Sequence, residues 1–568
     1  MNDIRRTILW VIFGFSLVML WDKWQVHNGH PATFFPTPTV AAAPAEGAAS
    51  APAGTGVPPA VATPASAAGA GQVPGAPASA TAAAPAAQEL VEVTTDVYKL
   101  SFDSAGGSLV RAELLKNADL TDPHRHLVLL DQSAERVYLA QTGLIGAPDL
   151  PNHTTPMQPV PGPRALADGT DRLEVQFESP VQGGVKLVKT YVLERGSYTI
   201  GVKHEVVNAG STTVTPQLYM QLVRDGNKPP GESSFYFTFT GPAVYTEEGK
   251  FQKVDFKHIE ENDAKFVKSA SDGYVAMVQH YFASAWLLGD GTARDIFARK
   301  VGTNLYAIGM ISTLAPLAPG ATQAVESRLF VGPQIETMME RVYPGLERVK
   351  DYGWVHILAK PLYWLLEKLY AVIHNWGWSI VALVVLLKVA FYWLNAKAYA
   401  SMAKMKAINP RITEMRERLK DKPQQMQQEM MKIYREEKIN PLGGCLPIMI
   451  QIPVFIALYW VLLSSVEMRG APWIGWIKDL SAPDPWYLLP VIMTLTTLLQ
   501  TALNPAPPDP MQAKLMWIMP LAFSVMFFFF PSGLVLYWIT NNILSIAQQW
   551  LINRRMGVPP QFNLPKFS

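Results

Sequence analysis

Ser379-Ile380-Val381-Ala382-Leu383-Val384-Val385-Leu386-Leu387-Lys388-Val389-Ala390-Phe391 holds twelve uncharged residues and one lysine. Widened to residues 377–394, the run is about long enough to cross the hydrocarbon of a bilayer as a helix. Four more apolar runs follow, at 445–466, 486–503, 515–530 and 534–552. Each is about long enough to cross, some barely so. The pattern predicts a five-span α-helical core over residues 376–553. Pro531-Ser532-Gly533 leaves so little chain between the last two runs that a hairpin is expected there.

Charge orients these spans. Residues 397–438 carry eleven Lys and Arg against six acids, whereas the 467–486 loop carries only Arg469 and Lys478. The short 504–514 loop adds Lys514, and the tail, 554–568, adds Arg554, Arg555 and Lys566. Positive charge favours the cytoplasmic side, so the 397–440 loop and the tail are expected in the cytoplasm. Within that loop, Asn409-Pro410 is expected to start one helix and Asp421 with Gln424 to cap a second. Together they predict a helical hairpin. Met402, Met405, Met415, Met426, Met430 and Met431 supply flexible apolar contacts; Met415, Met426 and Met430 are the candidate client contacts, with ordinary hairpin packing the competing reading.

Upstream, residues 341–375 mix leucines at three- and four-residue spacing with Glu347, Lys350, Lys360, Glu367 and Lys368. This predicts an amphipathic interfacial helix, or one packed against the preceding domain. Residues 89–340 show short alternating runs, such as Leu173-Glu174-Val175-Gln176-Phe177 and Phe235-Tyr236-Phe237-Thr238-Phe239, broken by turns such as Gly183-Gly184 and Arg195-Gly196. An antiparallel β-sandwich is predicted. Residues 25–88, almost entirely Ala, Pro, Gly, Ser and Thr, cannot bury a core and read as a spacer. At the start, Arg5-Arg6 precedes an apolar run, and no small residues follow closely. An uncleaved anchor over residues 1–24 is therefore expected, in preference to a signal peptide. Both termini then lie in the cytoplasm with the sandwich outside, which implies a periplasm and a Gram-negative bacterium. The net charge of +2 says nothing about nucleic acid, and the single Cys445 excludes an intramolecular disulfide. No P-loop, paired-histidine zinc helix, cysteine metal cluster or nucleophile elbow is present, so no cofactor is expected.

Lys388 is the leading site candidate. A charge at the centre of a span costs about 2.5–3.5 kcal/mol on insertion scales, so such residues are functional candidates by default. The alternative is snorkelling, because the cytoplasmic end of the span lies only about 10 Å away. Other polar residues cluster in the cytoplasmic half of the spans: Gln451; Thr494, Thr497 and Gln500 on one face; Asn541, Ser545 and Gln548 on another. Individually these are interhelical hydrogen-bonding groups. Collectively they open from the cytoplasm and stop near mid-membrane, where Phe455 and 527–530 form an apolar, aromatic plug. A conducting pore needs polar lining throughout or a gate that wets. The pattern instead suggests a blind, hydrated groove able to draw a polar or acidic client segment partway across.

Several stretches are similar to one family: Asp351-Tyr352-Gly353-Trp354, Asn375-Trp376-Gly377, Ala400-Ser401-Met402-Ala403-Lys404-Met405, Asn440-Pro441-Leu442-Gly443-Gly444-Cys445, Asp509-Pro510-Met511-Gln512 and Phe530-Pro531-Ser532-Gly533-Leu534-Val535-Leu536-Tyr537. The membrane region closely resembles the YidC/Oxa/Alb family of membrane protein insertases. That resemblance implies insertion of small membrane proteins, alone or beside the Sec translocon, without nucleotide and without enzymatic chemistry. It also implies a supersandwich in the periplasmic domain. Lys388 falls where the family usually has arginine, keeping the charge but losing the planar fork. Tyr537 and Trp538 fall on the client-contacting aromatic pair. Trp538 replaces a tyrosine common there, and Val384 replaces a frequent threonine. The expected groove is therefore Lys388, Gln451, Thr497, Gln500, Tyr537, Trp538, Asn541 and Ser545. Expected partners are nascent membrane proteins, the Sec translocon, lipids and the ribosome, with no DNA. A transporter would show polar residues in both membrane halves, and a carbohydrate enzyme would need more than His204 with Glu205.

Overall fold

The computed structural model describes residues 89–557 and 562, apart from 123, 232–237, 351, 353–354, 420–421, 438–445 and 505–509. The expected anchor, the spacer, Phe235–Phe237 and the 440–445 motif lie outside the described residues. Two compact units divide near residue 351.

The first unit is all-β in its body, as expected: two nine-stranded sheets joined largely by antiparallel neighbours. One sheet is ordered Leu90–Thr94, Tyr98–Asp103, Ser108–Ala118, His126–Gln132, Val137–Ile145, Gln217–Asp225, Leu305–Thr313, Arg294–Gly302, Ser269–Ala270. The other is ordered Lys250–Lys253, Gly241–Thr246, Tyr274–Val278, Phe282–Leu288, Thr322–Pro333, Thr199–Asn208, Val185–Glu194, Arg172–Glu178, Gln158–Pro159. Alternation does what the sequence pattern requires: in Arg172–Glu178, Leu173, Val175 and Phe177 are buried between more exposed neighbours. Gly196, at φ +71°, supplies the left-handed turn between Val185–Glu194 and Thr199–Asn208. Thr238 and Phe239 are not in a strand, contrary to the alternating reading of that run. Among the described residues of this unit, helix is confined to α1 (Phe256–Glu260), α2 (Glu336–Val342) and a 3₁₀ turn at Leu346–Val349.

The expected helix over 341–375 needs correction, because its first third belongs to the sandwich. Gly345 breaks it at φ +98°, with Tyr245 Cζ only 2.7 Å from where a Cβ would stand. Tyr274 donates to the Gly345 carbonyl (2.9 Å), and Tyr343 donates to Asp290 (2.6 Å) while accepting from the Gly273 N–H. Lys350 is buried, 3.9 Å from Glu336. Glu347 and Lys350, which looked like part of the polar face of a long helix, thus belong to the β unit, whereas Lys360, Glu367 and Lys368 lie on the helix His356–Ile373.

The second unit is helical: α3 (His356–Ile373), α4 (Trp376–Ala390), α5 (Tyr392–Arg418), α6 (Pro423–Glu436), α7 (Leu446–Ser464), α8 (Leu488–Leu503), α9 (Pro510–Met526) and α10 (Ser532–Arg555). Asn375 caps α4, its side chain accepting from the Trp378 N–H at 3.0 Å. Among the described residues no single helix is long and apolar enough to cross a membrane; the bent pair Trp376–Ala390 and Tyr392–Met405, at 68°, passes together. At about 1.5 Å per residue α4 alone spans about 22 Å, short of the hydrocarbon thickness. The single run read over 377–394 is therefore two helices broken at Phe391. α10 packs on α8 and α4, and α9 packs on α8. The tight turn at Pro531 returns the chain, yet α9 and α10 find their main partners elsewhere, unlike a simple paired hairpin.

The 397–440 hairpin forms with different ends. Pro410 does not start a helix but lies inside α5. Lys422, without a side-chain cap bond, occupies the N-cap of α6, whose first residue is Pro423. Ile408, Ile412, Met415 and Ile433 make the hairpin's own core, with Met405, Met426 and Met430 packed against it. That core holds α5 helical through Pro410.

Candidate functional site

One cavity in the helical unit gathers the polar residues. It is lined by Val384, Leu387 and Lys388 from α4, Phe391 at the bend, Leu394 and Asn395 from α5, Gln451 and Val454 from α7, and Tyr537 and Asn541 from α10. The polar groups come from four helices, and the packing of α4, α5, α7 and α10 brings them together. Val385, Leu386 and Val389 point the other way on α4 and are exposed, while Leu383 and Val384 are buried.

Lys388 turns inward: its Nζ donates to Ser545 Oγ on α10 at 2.7 Å. Ser545 in turn donates to the Asn541 carbonyl at 2.7 Å. Gln451 Nε2 donates to Asn541 Oδ1 at 2.8 Å, bridging α7 and α10. The volume open to water is about 30 Å³. That holds water but no peptide segment, so occupation by a chain requires α7, α4 and α10 to part.

Beyond Tyr537 the lining gives way to aromatic rings. Phe455 stacks on Tyr537 at 5.8 Å and meets Trp538 edge-on at 4.6 Å. Phe527 touches Trp538 (5.1 Å) and Phe530 (5.2 Å). Phe455, Phe527, Phe530, Tyr537 and Trp538 thus form one connected ring cluster.

Of the expected groove residues, the structure brings Lys388, Gln451, Tyr537, Asn541 and Ser545 together. Trp538 belongs to the ring cluster. Thr497 and Gln500 do not line the cavity. Thr497 accepts from Asn542 Nδ2 at 2.9 Å in the seam between α8 and α10, and donates to the Met493 carbonyl. The two polar faces of α10 serve different neighbours, one the cavity and one α8. Met415 is buried in the hairpin core at 4 % exposure, so it offers no contact surface; Met426 and Met430 are part-buried against that core. Sequence reasoning missed Asn395. It lies past the break at Phe391, in the first turn of α5, and reaches the cavity through the 68° bend between α4 and α5.

In the sandwich, His204 and Glu205 form no catalytic pair. His204 is buried with its Nε2 2.9 Å from Thr142 Oγ1, and Glu205 pairs with Lys203. Burial, then the nearby Lys189, pushes His204 down to about 3. Lys189 donates to the carbonyls of Gly106 (2.6 Å) and Thr142 (2.7 Å), and burial pushes it down to about 7.

Residues 90–365 match the family model described as the YidC periplasmic domain, and residues 368–558 match that of the 60Kd inner membrane protein. The membrane protein insertase YidC of Cupriavidus necator is 56 % identical over 555 residues, covering 98 % of both chains. That of Burkholderia multivorans is 53 % identical over 560 residues, covering 98 % of this chain and 99 % of its own. Among solved structures, an active YidC insertase with its first transmembrane domain resolved is 19 % identical, covers 81 % of this chain and 91 % of its own, and superposes with a TM-score of 0.36.

Proposed function

The chain belongs to the YidC family of membrane protein insertases, and we propose that it inserts proteins into the inner membrane through a groove with Lys388 at its closed end. The observation that carries this reading is the cavity: polar groups from four helices converge on Lys388, and an aromatic cluster ends the polar path. An acidic or polar client segment exchanges water for Lys388, Gln451 and Asn541. It thereby meets only part of the hydrocarbon as a dehydrated chain, where an unsatisfied backbone polar group costs several kcal/mol. The ring cluster keeps the path from becoming a leak.

Lys388 prefers a carboxylate, since it brings three donors and no acceptor. Ser545 holds it toward the cavity until the client takes over. No covalent bond changes, and nucleotide is not required. Transfer of the client's apolar segment into lipid supplies the free energy, with Leu, Ile, Phe and Val each favourable at the centre of a span. The proposed topology has an anchor at residues 1–24, the sandwich in the periplasm, five further spans, and both termini with the hairpin in the cytoplasm. The basic hairpin faces anionic lipid headgroups and the ribosome, and the chain works alone or beside the Sec translocon.

A photoreactive amino acid at Val454, which lines the cavity, tests the groove. A client arrested during insertion should crosslink there, and there more strongly than to the outward position Val389. Equal labelling at both positions would count against a groove.

A further inference from the structure

Resting on the groove reading above, we infer that Asn395 is a specificity-determining residue that pairs the main chain of client segments lacking an acidic side chain. Its place is unusual for an amide. Asn395 is only 7 % exposed, lines the same cavity as Lys388, and makes no side-chain hydrogen bond among the described residues. Its amide atoms are not among the buried polar atoms left without a partner, so they open to the cavity, whose contents can pair them. Lys388 is engaged with Ser545, and Gln451 with Asn541.

The chemistry separates the two residues. An ammonium only donates, so Lys388 answers a carboxylate or a carbonyl and leaves a peptide N–H unmatched. A carboxamide both donates and accepts, matching the N–H and C=O of an unwound client segment. An acidic segment is therefore read mainly by Lys388, and a neutral one depends more on Asn395. The break at Phe391 makes this possible, since it sets the first turn of α5 beside the end of α4.

The test uses the full chain in liposomes and one single-span client in two versions, with Asp or Asn at one position of the translocated segment. The readout is the ratio of neutral to acidic client protected from protease. Asn395→Leu should lower that ratio about fivefold, the effect of one neutral hydrogen bond. Asn395→Ser, which keeps a donor and an acceptor, should hold it near the parent value. Lys388→Gln should raise it. If Lys388→Gln raises the ratio and Asn395→Leu leaves it unchanged, the inference falls while the groove stands. If neither moves it, the groove reading falls and takes this inference with it. A ratio for Asn395→Ser as low as for Asn395→Leu would assign Asn395 to packing and also overturn the inference.

Discussion

Lys189 and Lys388 are both lysines surrounded largely by protein, and each is stabilised by what its ammonium reaches. Lys189 sits inside the sandwich on two carbonyls, with a folded value pushed down to about 7 by burial. Between about pH 7 and the ordinary lysine range near 10.4, the unfolded chain holds a proton that the folded domain has released. Stability must therefore rise with pH in that window, by at most about 1.4 kcal/mol per unit, and be insensitive to this group below it. Urea denaturation of residues 89–350 from pH 7 to 9 should show the rise, and Lys189→Met should flatten it. A parent curve with no such slope would contradict the assignment. Lys388 was legible from sequence because a lone charge in an apolar run stands out. Thr497 and Gln500 were misplaced, since a one-dimensional list of polar residues cannot say which of two faces of α10 looks at α8 and which at the cavity. Asn395 was hidden because the bend at Phe391 makes residues beyond it look like the start of a loop.

Among the elements, α4 is held by close packing at its first turn. A Cβ on Gly377 would stand 2.3 Å from Trp473 Cδ1, and Asn375 Nδ2 donates to the Trp473 carbonyl at 3.1 Å. Gly377→Val should therefore cost about 1–3 kcal/mol, read from unfolding in detergent, by forcing the indole out of its place. An unchanged midpoint would show that the ring yields freely. Pro410 makes the opposite prediction. Lying inside α5, it withholds an N–H from the Lys406 carbonyl. Pro410→Ala should increase hydrogen-exchange protection of α5 amides around residues 408–418 by up to about 3 kcal/mol. Reduced protection would mean that the proline shapes the hairpin rather than straining it. Strands were readable from their alternation and the apolar helices from long apolar runs. Helix ends were not: Pro410 carries a start signal that hairpin packing overrides, and the break at Gly345 depends on Tyr245, a hundred residues away in the chain.

For the whole molecule, the change from a β to a helical unit was legible, from alternation with turn residues, but the division lies near residue 351 and not at 340 as the composition suggested. The cavity's size was not legible, because it depends on how closely α4, α7 and α10 approach. The present gap of about 30 Å³ admits water and must widen around a client. α7 meets α10 through the Gln451–Asn541 bond and through Phe455 against Tyr537 and Trp538, so opening at this seam must shift those contacts. The most direct test of the central claim is insertion of a small membrane protein into liposomes holding only this chain, without nucleotide or any partner. Client protected from protease above the empty-liposome background is the expected result. No gain over that background, with the protein folded and correctly oriented, would contradict autonomous insertion through the groove.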